Sequence, residues 1–222
     1  MQRISNQLSS SGYAFVQEWL PNETTSKIRD LLSVALKGSS CGRQDRSVDV
    51  LQPRDLSSAP KSHYSGIFGL GEFPLHTDLA FWGAPPRYIV LRCVSGTREV
   101  ATYLLPATSP ALMRSWEVAR RAVFRPRKGT ELSSPCVLSG TFLKSNVEGL
   151  RWDSVFLLPM NEAAHEVAGI LGNVASEEIL SIYLVRPGDT LVIDNWRALH
   201  GRSVAKLHPS ASRLIERFYI ST

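Results

Sequence analysis

The spacing of apolar residues changes character along the chain. In PNETTSKIRDLLSVALKG (residues 21–38), Ile28, Leu31, Leu32 and Ala35 recur at helical intervals. That spacing predicts a helix over about 22–37, capped by Asn22 and stopped by Gly38. Residues 38–62 are polar, carry two prolines and read as a long surface loop. Further on, apolar residues gather in short runs: FPLHTD, RYIVLRCV, EVATYLL, CVLSGTFLK, EEILSIYLVR, DTLVID and RLIERFYI. These are rich in β-branched, aromatic and aliphatic residues, and Gly, Pro, Asn or Asp punctuate most of them, so they read as strands. Two helices interrupt. One covers about 108–121 and opens at Ser109-Pro110; the other covers about 161–172, capped by Asn161 and closed by Gly172.

Several short strands separated by long excursions do not fit the strict alternation of a doubly wound parallel sheet. They predict a mainly β double-stranded β-helix, or jelly roll, with helices packed outside it. No internal repeat or low-complexity linker cuts the chain. Residues 1–222 therefore read as a single domain, with an N-terminal helix and loop over 1–62 and a jelly-roll core over 63–222.

Composition adds bounds. With 222 residues, 43% of them hydrophobic and 20% charged, the chain can bury a core that folds unaided. No segment approaches the roughly 18 unbroken apolar residues of a membrane span, and the N-terminus shows no signal-peptide pattern. Cys41, Cys93 and Cys136 are odd in number and far apart, which gives neither a disulfide framework nor a zinc knuckle and points to a reducing, cytoplasmic setting. Part of the +5 net charge is local, with Arg120, Arg121, Arg125, Arg127 and Lys128 within nine residues. Phe124 alone interleaves there, too few aromatic residues for a base-stacking surface, so a solvated basic face is the plainer reading than a nucleic-acid surface; a docking face for a carrier protein is another.

Candidate chemistry begins in EFPLHTDLAFWG. His76 and Asp78 are two apart, and on a strand both side chains project from one face. An imidazole and a carboxylate suit a divalent first-row metal. With five histidines and eight aspartates in the chain, such a pair arises by chance roughly one time in five. The stretch DTLVIDNWRALHGRS supplies His200, which completes a two-histidine, one-carboxylate set of the kind found in non-haem Fe(II) oxygenases. His63, His165 and His208 are weaker candidates. Arg213 follows His200 by thirteen residues. Carried into the barrel it needs an anion, and a dicarboxylate cosubstrate answers the need; a surface salt bridge, for instance with Glu216, is the alternative.

Taken in order, FPLHTDLAFWGAPPRYIVLRC, LRWDSVFLLP and VIDNWRALHGRS followed by SRLIERF resemble the taurine dioxygenase/clavaminate synthase-like superfamily of Fe(II)/2-oxoglutarate-dependent oxygenases, from about Gly66 to the end of the chain. The resemblance implies that His76, Asp78 and His200 bind Fe(II), that Arg213 and the Thr102 hydroxyl hold the distal carboxylate of 2-oxoglutarate, and that O2 oxidises a substrate C–H while 2-oxoglutarate becomes succinate and CO2. Halogenases of this fold replace the carboxylate ligand with a small residue; Asp78 implies hydroxylation or a related oxidation instead. Arg217, four residues beyond Arg213, falls where several relatives hold a substrate carboxylate or sulfonate, which implies a small anionic or zwitterionic substrate such as a free amino acid. Asp153, in the segment Arg151-Trp152-Asp153, is a further candidate near the mouth of the site. Asp194, Asn195 and Arg197 read as supports for His200, and Trp196 as packing. The glycine-bearing segment 64–73 reads as a flexible rim and not as a phosphate loop, since no Lys-Ser/Thr closes it and no helix follows. Two rivals stand beside a free amino acid as substrate: the same chemistry on a carrier-bound or peptidyl residue, and a non-catalytic metal-binding jelly roll.

Overall fold

The structure is a computed structural model, and it describes residues 1–40, 48–127, 137–205 and 213–221. Cys41, Lys128, Cys136 and His208 lie outside the described residues. The helices are α1 (Gln2–Ser11), α2 (Thr25–Ala35), α3 (Tyr64–Phe68), α4 (Pro110–Ala119) and α5 (Glu162–Gly172). The first strands are β1 (Tyr13–Val16), β2 (Ser39–Ser40), β3 (Asp49–Leu51), β4 (Phe73–His76), β5 (Tyr88–Ser95), β6 (Thr102–Leu105) and β7 (Val123–Pro126). There follow β8 (Leu138–Ser139), β9 (Thr141–Lys144), β10 (Val147–Leu150), β11 (Leu157–Pro159), β12 (Leu180–Ile182), β13 (Thr190–Asp194), β14 (Leu199–Arg202) and β15 (Leu214–Ser221).

Two antiparallel sheets face each other as the jelly-roll expectation requires. The larger runs β1-β13-β5-β15-β2, with β3 also on β15; the smaller runs β12-β6-β14-β4. Strand β5 shows why a nearly continuous apolar run was needed. Ile89, Leu91 and Cys93 face Leu104, Ile182 and Leu184 between the sheets, while Tyr88 and Val90 face the opposite way, against Ile4 and Leu8 of α1 and Ile28 and Leu32 of α2. A third apolar cluster joins α4 and α5 to Phe124, Trp152 and Leu157 beyond the smaller sheet. Among the described residues, no helix is long and apolar enough to cross a membrane.

The predicted helices at 108–121 and 161–172 form, with Ser109 and Asn161 accepting from the backbone N–H of Leu112 and Ala164. The first predicted helix is shorter than its apolar spacing suggested. It starts at Thr25, and the Thr24 hydroxyl, not Asn22, accepts from the Lys27 N–H. Helix α1 and strand β1 escaped the sequence reading because α1 is mostly polar and buries only Ile4 and Leu8. Residues 38–62 are not a bare loop: β2 and β3 add to the edge of β15. The glycine-bearing rim also differs from expectation. Residues 64–68 form α3, and Gly69, at φ +54°, ends it in a conformation that favours glycine.

Candidate metal centre and its pocket

Two strands, β4 and β14, and the turn that follows β4 deliver the metal-ligand candidates. Antiparallel pairing of β14 with β4 sets His200 opposite His76, so the two imidazole rings lie 4.4 Å apart, centroid to centroid. Asp78 follows β4, and its Oδ1 lies 3.3 Å from His76 Nε2 and 3.8 Å from His200 Nε2. One ligand atom from each of the three buried residues falls within 4.8 Å of the other two. The chain bends immediately afterwards, with Leu79 at φ +56°, a conformation that costs a non-glycine residue about 1–2 kcal/mol. Asn195 holds that bend. Its Oδ1 accepts from the Asp78 N–H at 2.9 Å, and its Nδ2 donates to the Asp78 and Pro86 carbonyls.

Asp78 and His200 are held in the form that binds a metal. Burial lowers His76, but its bond to Asp78 and the charges of Asp78 and Asp153 together outweigh that and raise it, so a metal there displaces a proton. His76 Nδ1 donates to the Pro74 carbonyl at 2.8 Å, so in the neutral ring Nε2 carries the lone pair, and it is Nε2 that faces Asp78. Burial, helped by the neighbouring His76, lowers His200 to about 3 and keeps it neutral. Burial raises Asp78, but the Arg217 guanidinium and the His76 bond outweigh it and hold the carboxyl well below its ordinary range. Two imidazole nitrogens and one ionised carboxylate oxygen on one side of a cavity fit Fe(II) with open positions facing inward.

The cavity in front of these atoms measures about 320 Å³, and its lining includes Tyr64, Phe81, Thr102, Asp153, Phe156 and Arg213. The structure thus brings every sequence-predicted site residue together, since Arg217 lines the same cavity. Arg213 is buried. Its Nη2 donates to the Thr102 Oγ1 at 3.4 Å, and among the described residues no carboxylate pairs with it. Arg217 is different: its Nη1 donates to Asp78 Oδ2 at 3.0 Å, and Nε and Nη2 donate to Asp49 Oδ2 at 3.3 and 2.9 Å. Asp153 is buried against the cavity. Its Oδ1 accepts from the Val155 and Phe156 N–H groups, yet burial still raises its pKa, because no lysine or arginine among the described residues pairs with it.

The motif around Asp153 has a mechanical explanation. Arg151 donates to the carbonyls of Ala80, Trp82 and Gly83, and Trp152 exchanges bonds with Thr77. Arg151 and Trp152 therefore grip the segment on both sides of Asp78. Asp194 accepts from the Trp196 N–H, Arg197 reaches the carbonyls of Leu8 and Ser9, and Trp196 is packed in the core, its Nε1 donating to the Pro85 carbonyl. His63 lines the outer cavity, while His165 lies in α5 and outside the lining. In the basic run, Arg120 pairs with Glu148 and Glu117 as a solvated surface residue would.

Two residues of consequence went unnoticed in the sequence. The Tyr64 ring stacks on His76 at 4.1 Å, and the Tyr219 hydroxyl donates to Asp78 Oδ2 at 2.9 Å. Tyr219 had a findable signal: it lies two residues beyond Arg217 on β15 and so faces the same side. Tyr64 had none, because its approach depends on the unpredicted helix α3.

No protein-family model matches the chain. Its fold matches that of non-haem iron oxygenases: the crystal structure of OrfP in complex with Fe, succinate and (3S)-hydroxy-L-Arg superimposes with a TM-score of 0.68 over 100% of this chain and 78% of OrfP, at 17% identity. PvcB from Pseudomonas aeruginosa gives 0.63 over 98% of this chain and 78% of PvcB, at 18% identity. Among curated proteins, L-lysine 3-hydroxylase of Catenulispora acidiphila is 28% identical over 182 residues, covering 74% of this chain and 50% of the relative. Clavaminate synthase 2 of Streptomyces clavuligerus is 26% identical over 188 residues, 76% of this chain and 56% of the relative. In sequence the chain is thus similar to two curated enzymes, and in fold to non-haem iron oxygenases, in keeping with its resemblance to the taurine dioxygenase/clavaminate synthase-like superfamily. It spans about half the length of the curated relatives it matches.

Proposed function

We propose that the protein is an Fe(II)- and 2-oxoglutarate-dependent dioxygenase of the hydroxylase type, acting on an unactivated C–H bond of a free amino acid or a close derivative. One observation carries this reading: three buried ligand atoms converge on the wall of a cavity that also holds a buried arginine without a carboxylate partner among the described residues. His76, Asp78 and His200 hold the iron, and Arg213 with Thr102 takes the distal carboxylate of the cosubstrate. Bound there, iron supplies oxidation by O2 coupled to the conversion of 2-oxoglutarate to succinate and CO2. The chain's own contribution is to bind, to orient and to exclude water. Tyr64, Phe81 and Phe156 wall the cavity, which keeps competing solvent from the reacting carbon.

The substrate reading rests on two charged groups in that wall. Arg217 receives the substrate carboxylate once Asp49 yields part of its fork. Asp153, buried and without a cationic partner among the described residues, offers a seat for an ammonium or guanidinium. The relatives support a basic amino acid: one curated relative is an L-lysine 3-hydroxylase, and OrfP was solved with Fe and L-Arg. Asp78 occupies the third ligand position, which supports hydroxylation over halogenation.

The test is aerobic turnover of 2-oxoglutarate by Fe(II)-loaded protein, scored as succinate across a panel of free amino acids that includes lysine and arginine. Stimulation by one or more members is expected. Succinate that stays at the substrate-free level with every free amino acid, yet rises with a tethered one, overturns the free amino acid; no turnover with either overturns the enzyme.

A further inference from the structure

The cavity holds a second buried guanidinium that the reading above does not use. Arg202 stands two residues beyond His200 on β14, so both side chains leave the same face of the strand, about 7 Å apart along it. Register places Arg202 opposite Thr102 on β6, and Thr102 is the residue whose hydroxyl meets Arg213. Cross-strand partners of this kind carry their Cβ atoms about 5 Å apart. His200, Arg202, Thr102 and Arg213 therefore form one continuous wall, running from the candidate metal to the buried arginine end.

Within that wall the Arg202 fork is only half used. Nη2 donates to the carbonyls of Gly69 at 2.7 Å and Gly71 at 2.6 Å, and the guanidinium lies over the Phe73 ring at 3.6 Å from its centroid. Its Nε–H is buried and has no hydrogen-bond partner among the described residues. Among the described residues, no carboxylate pairs with Arg202 or with Arg213. A buried donor left unmade costs about 1–3 kcal/mol, and two neighbouring buried cations without an anion cost more. Burial lowers both guanidinium groups to about 10, and for Arg202 the charge of Arg213 adds to the effect. A carboxylate has two oxygens and about four acceptor sites, more than one arginine fork and one hydroxyl fill.

We propose that Arg202 is a second cosubstrate-binding arginine, its free Nε–H donating to the distal carboxylate that Arg213 and Thr102 also hold. This rests on the 2-oxoglutarate reading and extends it by one residue. The competing role is mechanical: Arg202 would then only anchor the glycine turn that ends α3, through its two bonds to Gly69 and Gly71.

The two roles part in a binding measurement without turnover. Fe(II)-loaded protein is titrated without oxygen, by calorimetry, with 2-oxoglutarate and separately with 2-oxobutyrate, which chelates through the same keto-acid group but lacks the distal carboxylate. Arg202→Gln should weaken 2-oxoglutarate by roughly 10-fold or more, the worth of a hydrogen bond to a charged group, and leave 2-oxobutyrate within about 2-fold. Arg202→Lys, which keeps the charge and the packing of its stem on Phe73, serves where the glutamine variant does not fold; it should lose 2-oxoglutarate selectively but less severely. Equal weakening of both oxo acids, or no weakening of either, overturns the proposal in favour of the turn anchor. Wild-type protein that binds neither oxo acid overturns the functional reading, and this one with it.

Discussion

Arg213 and Arg217 stand four residues apart, face one cavity and have opposite electrostatic fates. Arg217 is saturated with anions. Asp78 and Asp49 both accept from it, and although burial pulls its pKa down, Tyr219 and the two carboxylates outweigh that and raise it. Among the described residues Arg213 meets a hydroxyl and no carboxylate, and burial lowers it to about 10. The difference teaches how to separate a receptor from a support on one strand. A buried arginine whose carboxylates come from its own chain is already satisfied and shapes its partners; one left without an anion is waiting for a ligand.

The largest expected effect breaks the supported side. Arg217→Met leaves Asp78 Oδ2 with Tyr219 as its one donor among the described residues and takes the arginine from Asp49, and should destabilise the metal-free protein by about 2–4 kcal/mol. That lies slightly below the usual cost of breaking a buried pair, because Asp49 is partly exposed. Added Fe(II) should restore part of the loss by taking over the Asp78 charge, so the metal-induced rise in melting temperature should be larger in the variant than in wild type. An unchanged melting temperature would show that the pair contributes nothing.

Next comes the receptor side, where the same removal should act on a ligand instead of on the fold. Arg213→Gln should weaken 2-oxoglutarate by roughly 10–150-fold, the equivalent of about 1.5–3 kcal/mol. Fe(II) affinity should stay within about 3-fold, and the melting temperature of the ligand-free protein should hold or rise, since a buried cation without a carboxylate partner among the described residues is lost. Anaerobic titration and thermal denaturation read the two halves separately; unchanged 2-oxoglutarate binding removes Arg213 from the site.

Tyr219→Phe is a smaller change on the supported side. It deletes one of the two donors to Asp78 Oδ2 and should weaken Fe(II) by about 10-fold, or ~1.4 kcal/mol, the low end of what a residue bonded to a metal ligand contributes. Burial first, and the Asp78 carboxylate after it, hold the phenol well above its ordinary pKa. The donor proton is therefore present throughout the neutral range, and the loss should be the same at both ends of it. A metal titration of wild type and variant at two pH values checks both the size and the flatness.

This contrast also marks what the sequence could reveal. The ligands were legible because a histidine and an aspartate two apart are followed in a fixed order by a third ligand and an arginine, although β4 ends at His76 and the bend beyond it, not strand periodicity, brings Asp78 in. The jelly roll was legible from short strands whose apolar residues had to serve two cores. The partners of each arginine were not legible. Asp49 sits in what read as a polar loop, and only the pairing of β3 with β15 sets it opposite Arg217. Nothing in the sequence singles out Arg202; register places it opposite Thr102. Side-chain type and spacing state which charges face a site; which of them are already neutralised depends on edge strands and turns with almost no hydrophobic signal.

The smallest expected effect tests whether Arg217 can cross from one class to the other. Its pair with Asp49 is partly exposed, and such pairs are worth about 0.2–1 kcal/mol. If the substrate carboxylate binds by displacing Asp49 from the arginine fork, that pair opposes binding by the same amount. Asp49→Asn should then lower the substrate KM by roughly 1.5- to 5-fold, with little change in kcat, because the Nη1 bond to Asp78 Oδ2 stays in place. A KM that rises or does not move, measured with the amino acid that gives most succinate, would leave Arg217 wholly a support for Asp78. The substrate carboxylate would then need another cation, and Arg217 would contribute to catalysis only through the ligand it holds.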